Sequence, residues 1–332
     1  MTHAFPQMLS DGHGGLVAPA SLPHLAVGTM VSHDLNAARR LYEDFLGFEA
    51  VRVSESRMFL RDRRAKYLME QGERDFFVIQ VDQVEAVEKP QKMLNHWGIA
   101  VGTQDEVRRI YDLVKAEKEN WYIKKMRPIT GLHESYGFFF IDEDDNWWEI
   151  ENRGAMTNDG LFAKGDYDKP NKDAQTMVDP QLDIAETTPA VVGDEAFMTH
   201  GTVDAANILK ARHFYENVLG LRSVLRSDMA QFTAGGSDFA FVGVQVGEKH
   251  VASQSAANRW ILLVDDEEQL RARYEKALAL KDECGVRQIS DIVEGEAGER
   301  SFQIENADSN WFEFSTRSRQ DYVDLFKQVE AA

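Results

Sequence analysis

Two histidines and a glutamate occupy matching places in segments of the chain that repeat one another. His96 and His200 each lie fifteen residues before a tyrosine of a predicted helix, and Glu149 follows an Asn-Trp pair in a predicted strand. Imidazole nitrogens and carboxylate oxygens can bind metals or move protons near neutral pH. A single histidine on a strand is more often a hydrogen-bonded structural residue, so the shared register of the two histidines is what favours chemistry here.

The chain contains four copies of one unit, arranged as a duplicated pair. Residues 41–48 return as 214–221, and residues 145–150 return as 309–314. Such self-similarity at a long period indicates repeated structural units, which can be compared with one another. The helix tyrosines of the four copies, and the residues fifteen positions before them, are Tyr42 and Val27, Tyr111 and His96, Tyr215 and His200, and Tyr274 and Arg259. Only the second and third copies therefore carry a histidine at this position.

Each copy is predicted to form a βαβββ module. A short apolar run precedes a segment whose apolar residues recur three and four positions apart, which is typical of an amphipathic helix. Gly47 and Gly220 follow such segments, where the end of a helix favours a left-handed residue. Runs of alternating or continuous apolar residues then indicate strands. The sequence therefore predicts an α+β fold of four βαβββ modules between residues 24 and 317.

The repeat also suggests the domain boundaries. Residues 1–22 are predicted to be an N-terminal tail, 23–153 and 196–317 the first and second domains of two modules each, and 154–195 a polar linker with several prolines and no sustained period. Residues 318–332 are predicted to form a C-terminal helix. Tyr322, Phe326 and Val329 have helical spacing there, so we expect this helix to cover part of the core.

The composition excludes several classes of function. The 37 Lys and Arg residues against 56 Asp and Glu residues give a net charge of -19, which disfavours binding to nucleic acid. A single cysteine, Cys284, cannot form an internal disulfide, and we find no signal peptide or long apolar span. We therefore expect a cytoplasmic protein with no nucleic-acid or membrane partner. A homo-oligomer stays open.

The FY-x-x-x-LG helix end and the N-x-x-E final strand in paired βαβββ modules resemble the vicinal oxygen chelate superfamily. That superfamily includes glyoxalase I, fosfomycin-resistance proteins, epimerases and type I extradiol dioxygenases. The resemblance implies that modules pair to form two cupped half-barrel sheets. It also implies that a divalent metal is held by first-strand residues of two modules and by a carboxylate of a final strand. His96, His200 and Glu149 are the candidate metal ligands under this resemblance.

Two pairings of the modules are open. The resemblance to extradiol dioxygenases implies sequential pairing, in which the first module pairs with the second and the third with the fourth. The resemblance to single-chain glyoxalase I implies crossed pairing, in which the first module pairs with the fourth and the second with the third. Crossed pairing unites the three candidate ligands and leaves an incomplete second site in which Arg259 is predicted to pair with Glu313. Sequential pairing gives a complete site only if a β-bulge turns His24 toward His96 and Glu149. A third alternative is that the protein binds no metal.

The segment before Glu149 contains candidate catalytic residues. Residues 132–140 are similar to the extradiol dioxygenase signature, in which a histidine and a tyrosine precede the metal-binding glutamate. His133 matches the histidine and is predicted to act as a general acid or base; a hydrogen bond to a loop is the alternative role. The tyrosine position holds Phe140, so Tyr136 is the predicted substitute.

Two imidazoles and one carboxylate with open positions suit non-haem Fe(II), although Mn, Zn, Ni and Co are chemically admissible. The sequence thus predicts a metal-dependent, extradiol-type, ring-cleaving dioxygenase acting on a catechol- or hydroquinone-like compound. The aromatic residues near the predicted site suit a small aromatic or apolar substrate. Two alternatives remain: a metal-dependent lyase or isomerase of the glyoxalase type, and a metal-free protein that binds small molecules.

Overall fold

Seventeen strands of the described part of the chain form two mixed sheets. A computed structural model describes residues 23–73, 76–131, 135–154, 157–167, 191–192, 196–235 and 239–330. The strands of the first two modules are β1 (His24–Ser32), β2 (Glu49–Ser54), β3 (Arg57–Arg61), β4 (Val78–Gln83), β5 (His96–Ala100), β6 (Ile123–Met126), β7 (Tyr136–Asp142) and β8 (Trp147–Asn152). Those of the last two are β9 (Phe197–Ala205), β10 (Arg222–Ser227), β11 (Ala230–Ala234), β12 (Ala240–Gln245), β13 (Arg259–Leu263), β14 (Gln288–Ile289), β15 (Val293–Glu294), β16 (Arg300–Glu305) and β17 (Trp311–Ser315).

Each module has one main helix, and the four begin in the same way. The α-helices of the described residues are α1 (Leu35–Arg39), α2 (Arg63–Glu70), α3 (Gln104–Glu117), α4 (Asn158–Lys164), α5 (Ile208–Asn217), α6 (Glu267–Ala279) and α7 (Arg319–Glu330). Helices α1, α3, α5 and α6 follow Asp34, Thr103, Asn207 and Asp266, whose side chains accept hydrogen bonds from the first free backbone N–H groups. Among the described residues, no helix is both long enough and apolar enough to cross a membrane.

The modules pair in the crossed arrangement. The nine-stranded sheet, called here the first sheet, joins modules one and four in the order β14-β16-β17-β13-β1-β4-β3-β2, and its ninth strand, β15, also pairs with β16. The eight-stranded second sheet joins modules two and three in the order β10-β11-β12-β9-β5-β8-β7-β6. The antiparallel pairs β1–β13 and β5–β9 connect the modules at the centre of each sheet. The α+β fold of four βαβββ modules in two sheets is confirmed, and both sheets cross the boundary between the two halves of the sequence.

A cluster of four aromatic rings packs between the two sheets. The rings of Phe77 and Phe239 stack with centroids 3.5 Å apart, and those of Trp97 and Trp260 lie 5.0 Å apart. Gly201 allows this approach, because a Cβ atom there would lie 2.3 Å from the Trp260 ring. The two cupped sheets therefore share one apolar core, which fixes how they face each other.

The concave faces of the two sheets, called here the first and second cups, are covered by different helices. In the first cup, Tyr322 and Phe326 of α7 are buried in a cluster with Phe59 of β3, as part of a wider set that includes α2. In the second cup, Leu161 and Phe162 of α4 pack against strands of module three. Phe139 of module two, on β7, stays half-buried in that cup. The C-terminal helix thus fills the first cup, while the module-two side of the second cup is more accessible.

Candidate metal centre

The three candidate ligands meet on adjacent strands in the second cup. His96 begins β5, which runs parallel to β8 with Glu149 and antiparallel to β9 with His200. The Nε2 atom of His96 lies 3.1 Å from Oε2 of Glu149 and 3.2 Å from Nε2 of His200, and the latter is 3.4 Å from the same Oε2. All three side chains are buried, at 5%, 8% and 6% exposure. Residues separated by about a hundred positions therefore present donor atoms within 4.8 Å of one another.

Neighbouring acceptors orient both imidazoles. Nδ1 of His96 is 2.6 Å from the carbonyl oxygen of Met93, which can only accept, so we infer that Nδ1 carries the hydrogen and donates it. Nδ1 of His200 lies 3.3 Å from Oε1 of Glu151 and 3.0 Å from the Thr199 hydroxyl. When both imidazoles are neutral, this leaves the lone pair of each Nε2 atom facing the shared centre. Such partners on the far ring nitrogen are typical of metal-binding histidines.

The backbone of Gly98 makes room for one of these rings. Gly98 lies opposite His200 in the antiparallel pair β5–β9. A Cβ atom at Gly98 would lie 2.0 Å from Cε1 of the His200 ring, closer than any tolerated contact. A larger residue would displace the imidazole. The glycine is therefore required for the position of one candidate ligand.

The charges around the centre favour a bound cation. Burial acts to lower the pKa of His200, but the carboxylates of Glu151 and Glu149 outweigh burial and raise this pKa to about 9. Burial acts to raise the pKa of Glu149, whereas hydrogen bonds from His200 and His96 and their charges lower it to about 2. Without a cation, two inward-facing nitrogen lone pairs and a carboxylate would repel one another unless protons lie between them. Two imidazoles and a carboxylate are also the donor set of many divalent metal sites, so these residues fit such an ion.

The equivalent place in the first cup holds an ion pair instead. Arg259 stands where module two has His96, and its Nε atom donates to Oε2 of Glu313 at 2.6 Å. Gln303 donates to the same oxygen at 3.2 Å. Val27 occupies the place of the second histidine. The predicted Arg259–Glu313 pair is confirmed, with a fixed side-chain cation where the second cup has its histidine.

Comparison with solved structures identifies the fold. Glyoxalase I from Zea mays is 12% identical, with a TM-score of 0.57 over 92% of this chain and 96% of that chain. A Bacillus subtilis structure named "putative dioxygenase" is 11% identical, with a TM-score of 0.50 over 88% of this chain and 84% of that one. The fold is that of the vicinal oxygen chelate superfamily. No protein-family model and no curated protein sequence matches the chain. At these identities the likeness concerns the fold alone.

His24, the alternative ligand, does not reach the candidate centre. This vicinal oxygen chelate fold places His24 in the first sheet, where Nε of Arg319 donates to its Nδ1 at 3.1 Å. A β-bulge does occur between Leu25 and Val27, as the alternative required. The hypothesis of a His24 site with His96 and Glu149 is nevertheless wrong, because crossed pairing puts His24 in a different sheet.

The two predicted catalytic residues have different outcomes. His133 lies outside the described residues, so its role stays a prediction. Tyr136 is on the face of β7 that packs against α3, where Nε of Arg108 donates to its hydroxyl at 3.0 Å. The structure does not bring Tyr136 to the histidine–glutamate group. The physical reason is strand alternation, because Tyr136, Phe138 and Phe140 share the face opposite to Glu149.

Two residues of the site were not predicted from the sequence. Phe139 pairs with Glu149 across the β7–β8 ladder, and its ring lies 4.9 Å from the His96 ring. Glu151 contacts His200 from the same strand as Glu149. The signal for Glu151 was present, because a residue two positions after Glu149 on a strand points to the same face. The run of three phenylalanines at 138–140 gave no such signal, because it lacks alternation.

Proposed function

We propose that the chain is a metal-dependent enzyme whose metal is held by His96, His200 and Glu149, and that it is an extradiol-type dioxygenase. The substrate would be a catechol- or hydroquinone-like compound. The observation that carries this proposal is the convergence of two imidazoles and one carboxylate in the second cup. Three protein ligands of this type leave open positions, an arrangement found in non-haem Fe(II) oxygenases.

The side chains around the centre suit a flat, largely apolar substrate. Phe139, Ile141 and Trp147 lie on the cup face of β7 and β8, beside the candidate ligands. Their surfaces can bind an aromatic ring, exclude water from it and direct its oxygens toward the ligands. A metal bound there would supply Lewis acidity that lowers the pKa of a substrate hydroxyl. His133 stays the predicted acid or base.

The crossed pairing of the modules favours a second candidate, a metal-dependent lyase or isomerase. The resemblance to single-chain glyoxalase I implies this pairing, whereas the resemblance to extradiol dioxygenases implies the sequential one. The same three ligands could then hold a metal that stabilises an enolate rather than one that binds oxygen. Oxygen consumption separates the two candidates.

The test uses anaerobically purified protein loaded with Fe(II). We expect one iron per chain and, after addition of a catechol, uptake of oxygen with formation of a coloured ring-fission product. His96→Ala and His200→Ala should each lose both metal and activity. His250→Ala, which changes an exposed histidine, is the matched control and should retain both.

The outcomes distinguish the candidates. Metal binding without oxygen uptake for any catechol or hydroquinone would contradict the dioxygenase and support the lyase or isomerase. Absence of stoichiometric metal in the wild-type chain would overturn both and support a metal-free binding protein.

A further inference from the structure

Two cationic residues border the cup that holds the candidate metal centre. Lys125, on the edge strand β6, pairs with Ile141, which pairs with Trp147, which in turn pairs with His96. The backbone N–H of Arg127 donates to the carbonyl of Phe139 at 2.7 Å, and Phe139 pairs with Glu149. Lys125 and Arg127, called here the cationic rim, therefore extend the two cross-strand rows that end at the candidate ligands.

The rim side chains belong to the cup face. The guanidinium carbon of Arg127 lies 5.8 Å from the centre of the Trp147 ring, which is on the cup face of β8. Lys124 precedes this pair at a β-bulge in β6, and its Nζ atom contacts Asp145 at 2.7 Å instead. Lys125 and Arg127 are exposed and form no ion pair within the described part of the chain. Among these described residues, no carboxylate would compete with an anion for the two side chains.

The first cup provides an internal comparison. There Gln288 takes the place of Lys125 and pairs with Glu305, which takes the place of Ile141. Ser290 takes the place of Arg127, and its N–H donates to the carbonyl of Gln303, which takes the place of Phe139. Both rim positions are therefore neutral in the cup that holds the Arg259–Glu313 pair. In a chain with a net charge of -19, the rim cations accompany only the cup with the histidines.

We propose that the substrate carries a carboxylate or similar anionic group and that Arg127 receives it, with Lys125 adding positive charge. The inference rests on the proposed function and specifies its substrate class. Two strand spacings separate the rim from the ligand strands, so the anion would lie roughly 10 Å from the metal-binding oxygens. Arginine suits this role because its planar fork can bind a carboxylate with two hydrogen bonds.

A different role for charged residues on β6 must be separated from this one. Lysine and arginine on an edge strand also discourage pairing with other chains. That role requires charge but no preference among ligands. The experiment must therefore measure selectivity rather than stability or solubility.

The test compares two catechols, dihydrocaffeate and its uncharged methyl ester, by anaerobic calorimetry on the Fe(II)-loaded protein. We expect the wild type to bind the carboxylate about tenfold more tightly than the ester, as a partly exposed charged hydrogen bond would give. Arg127→Gln should abolish this preference while leaving affinity for the ester unchanged. Lys125→Gln should reduce it in part, and Lys124→Gln should not change it, because the Lys124 ammonium already pairs with Asp145.

Three results would count against the inference or its basis. If Arg127→Gln keeps the tenfold preference, the anion site is overturned while the metal centre stands. A wild type that binds both compounds equally overturns it as well. If the metal-loaded wild type binds neither compound, the proposed function fails, and the inference fails with it.

Discussion

Glu151 contacts the far side of the His200 ring and helps to orient it. Its Oε1 atom lies 3.3 Å from Nδ1 of His200 and 3.4 Å from Nε of Arg153, and the side chain is buried. Arg153 offsets part of the charge of this buried carboxylate. A carboxylate that receives the far N–H of a metal-binding histidine typically contributes 10- to 100-fold to metal affinity. Glu151 is therefore a positioning residue of the candidate centre.

We predict that Glu151→Gln weakens binding of a divalent metal by about tenfold and that Glu151→Ala weakens it by up to about 100-fold. The amide of glutamine can still accept from Nδ1 but lacks the charge, whereas alanine removes the acceptor. Competition with a chromophoric chelator measures the affinity. Glu143→Gln, on the exposed turn between β7 and β8, is the control. Unchanged affinity in a folded Glu151→Ala protein would show that Thr199 alone orients the ring.

At the scale of elements, helix α7 decides which cup is accessible. Tyr322 and Phe326 are 1% and 0% exposed, and the Tyr322 ring lies 5.8 Å from the Phe59 ring. Arg319 starts the helix and contacts His24 at the beginning of β1. The helix is therefore anchored at its first turn and by its apolar face. A ligand entering the first cup would have to displace this packed helix.

The His24–Arg319 contact predicts a dependence of stability on pH. Burial and the nearby Arg319 charge lower the pKa of His24 from 6.5 to about 3. Between these values the unfolded chain binds a proton that the folded chain does not, so stability falls as pH falls from about 6.5 toward 3. The loss is at most about 1.4 kcal/mol per pH unit. His24→Gln should remove this contribution. Its free energy of unfolding, measured with urea, should therefore fall less steeply as the pH falls from about 6.5 to 3.

The control for this prediction is His250→Gln, which changes an exposed histidine. The free energy of unfolding of this variant should fall with pH as steeply as that of the wild type. If the free energy of unfolding of His24→Gln falls with pH as steeply as that of the wild type, other groups, such as the buried carboxylates, cause the loss of stability. In that case protonation of His24 contributes nothing measurable to the loss of stability.

At the scale of the whole molecule, duplication produced two cups with different contents. The histidine–glutamate group occupies one, and the Arg259–Glu313 pair occupies the other. The arginine side chain supplies one positive charge without any exchangeable ligand. The first cup thus has its carboxylate neutralised internally, and α7 closes it. Within the described residues, this asymmetry leaves one candidate metal centre.

We predict that Arg259→Leu destabilises the protein by about 3 kcal/mol, because it leaves the Glu313 carboxylate buried without its cation. The double variant Arg259→Leu with Glu313→Leu should recover most of this loss, since it removes both charges. Chemical unfolding measures both values. Metal content should stay at one ion per chain in each variant. A single variant as stable as the wild type would show that Gln303 alone suffices to stabilise the carboxylate.

Much of this molecule could be predicted from local patterns in its sequence. The four modules, the left-handed glycines Gly47 and Gly220, and the Arg259–Glu313 pair all follow from comparing one copy with another. The reason is that repeated modules share one backbone, so an equal distance from a common tyrosine means an equal place on a strand. Hydrophobic spacing and turn residues are local properties, and they suffice to define each module.

The pairing of the modules and the face of each residue in the aromatic run were decided by the tertiary structure. Sequential and crossed sheets bury the same apolar strand faces, so the pattern within a module is compatible with either. Only long-range pairing, β5 with β9 and β1 with β13, placed His96 beside His200 and separated both from His24. Likewise, the sequence does not tell which residues of a run of identical side chains share a face of the strand. Only the pairing of β7 with β8 places Phe139, rather than Phe140, opposite Glu149.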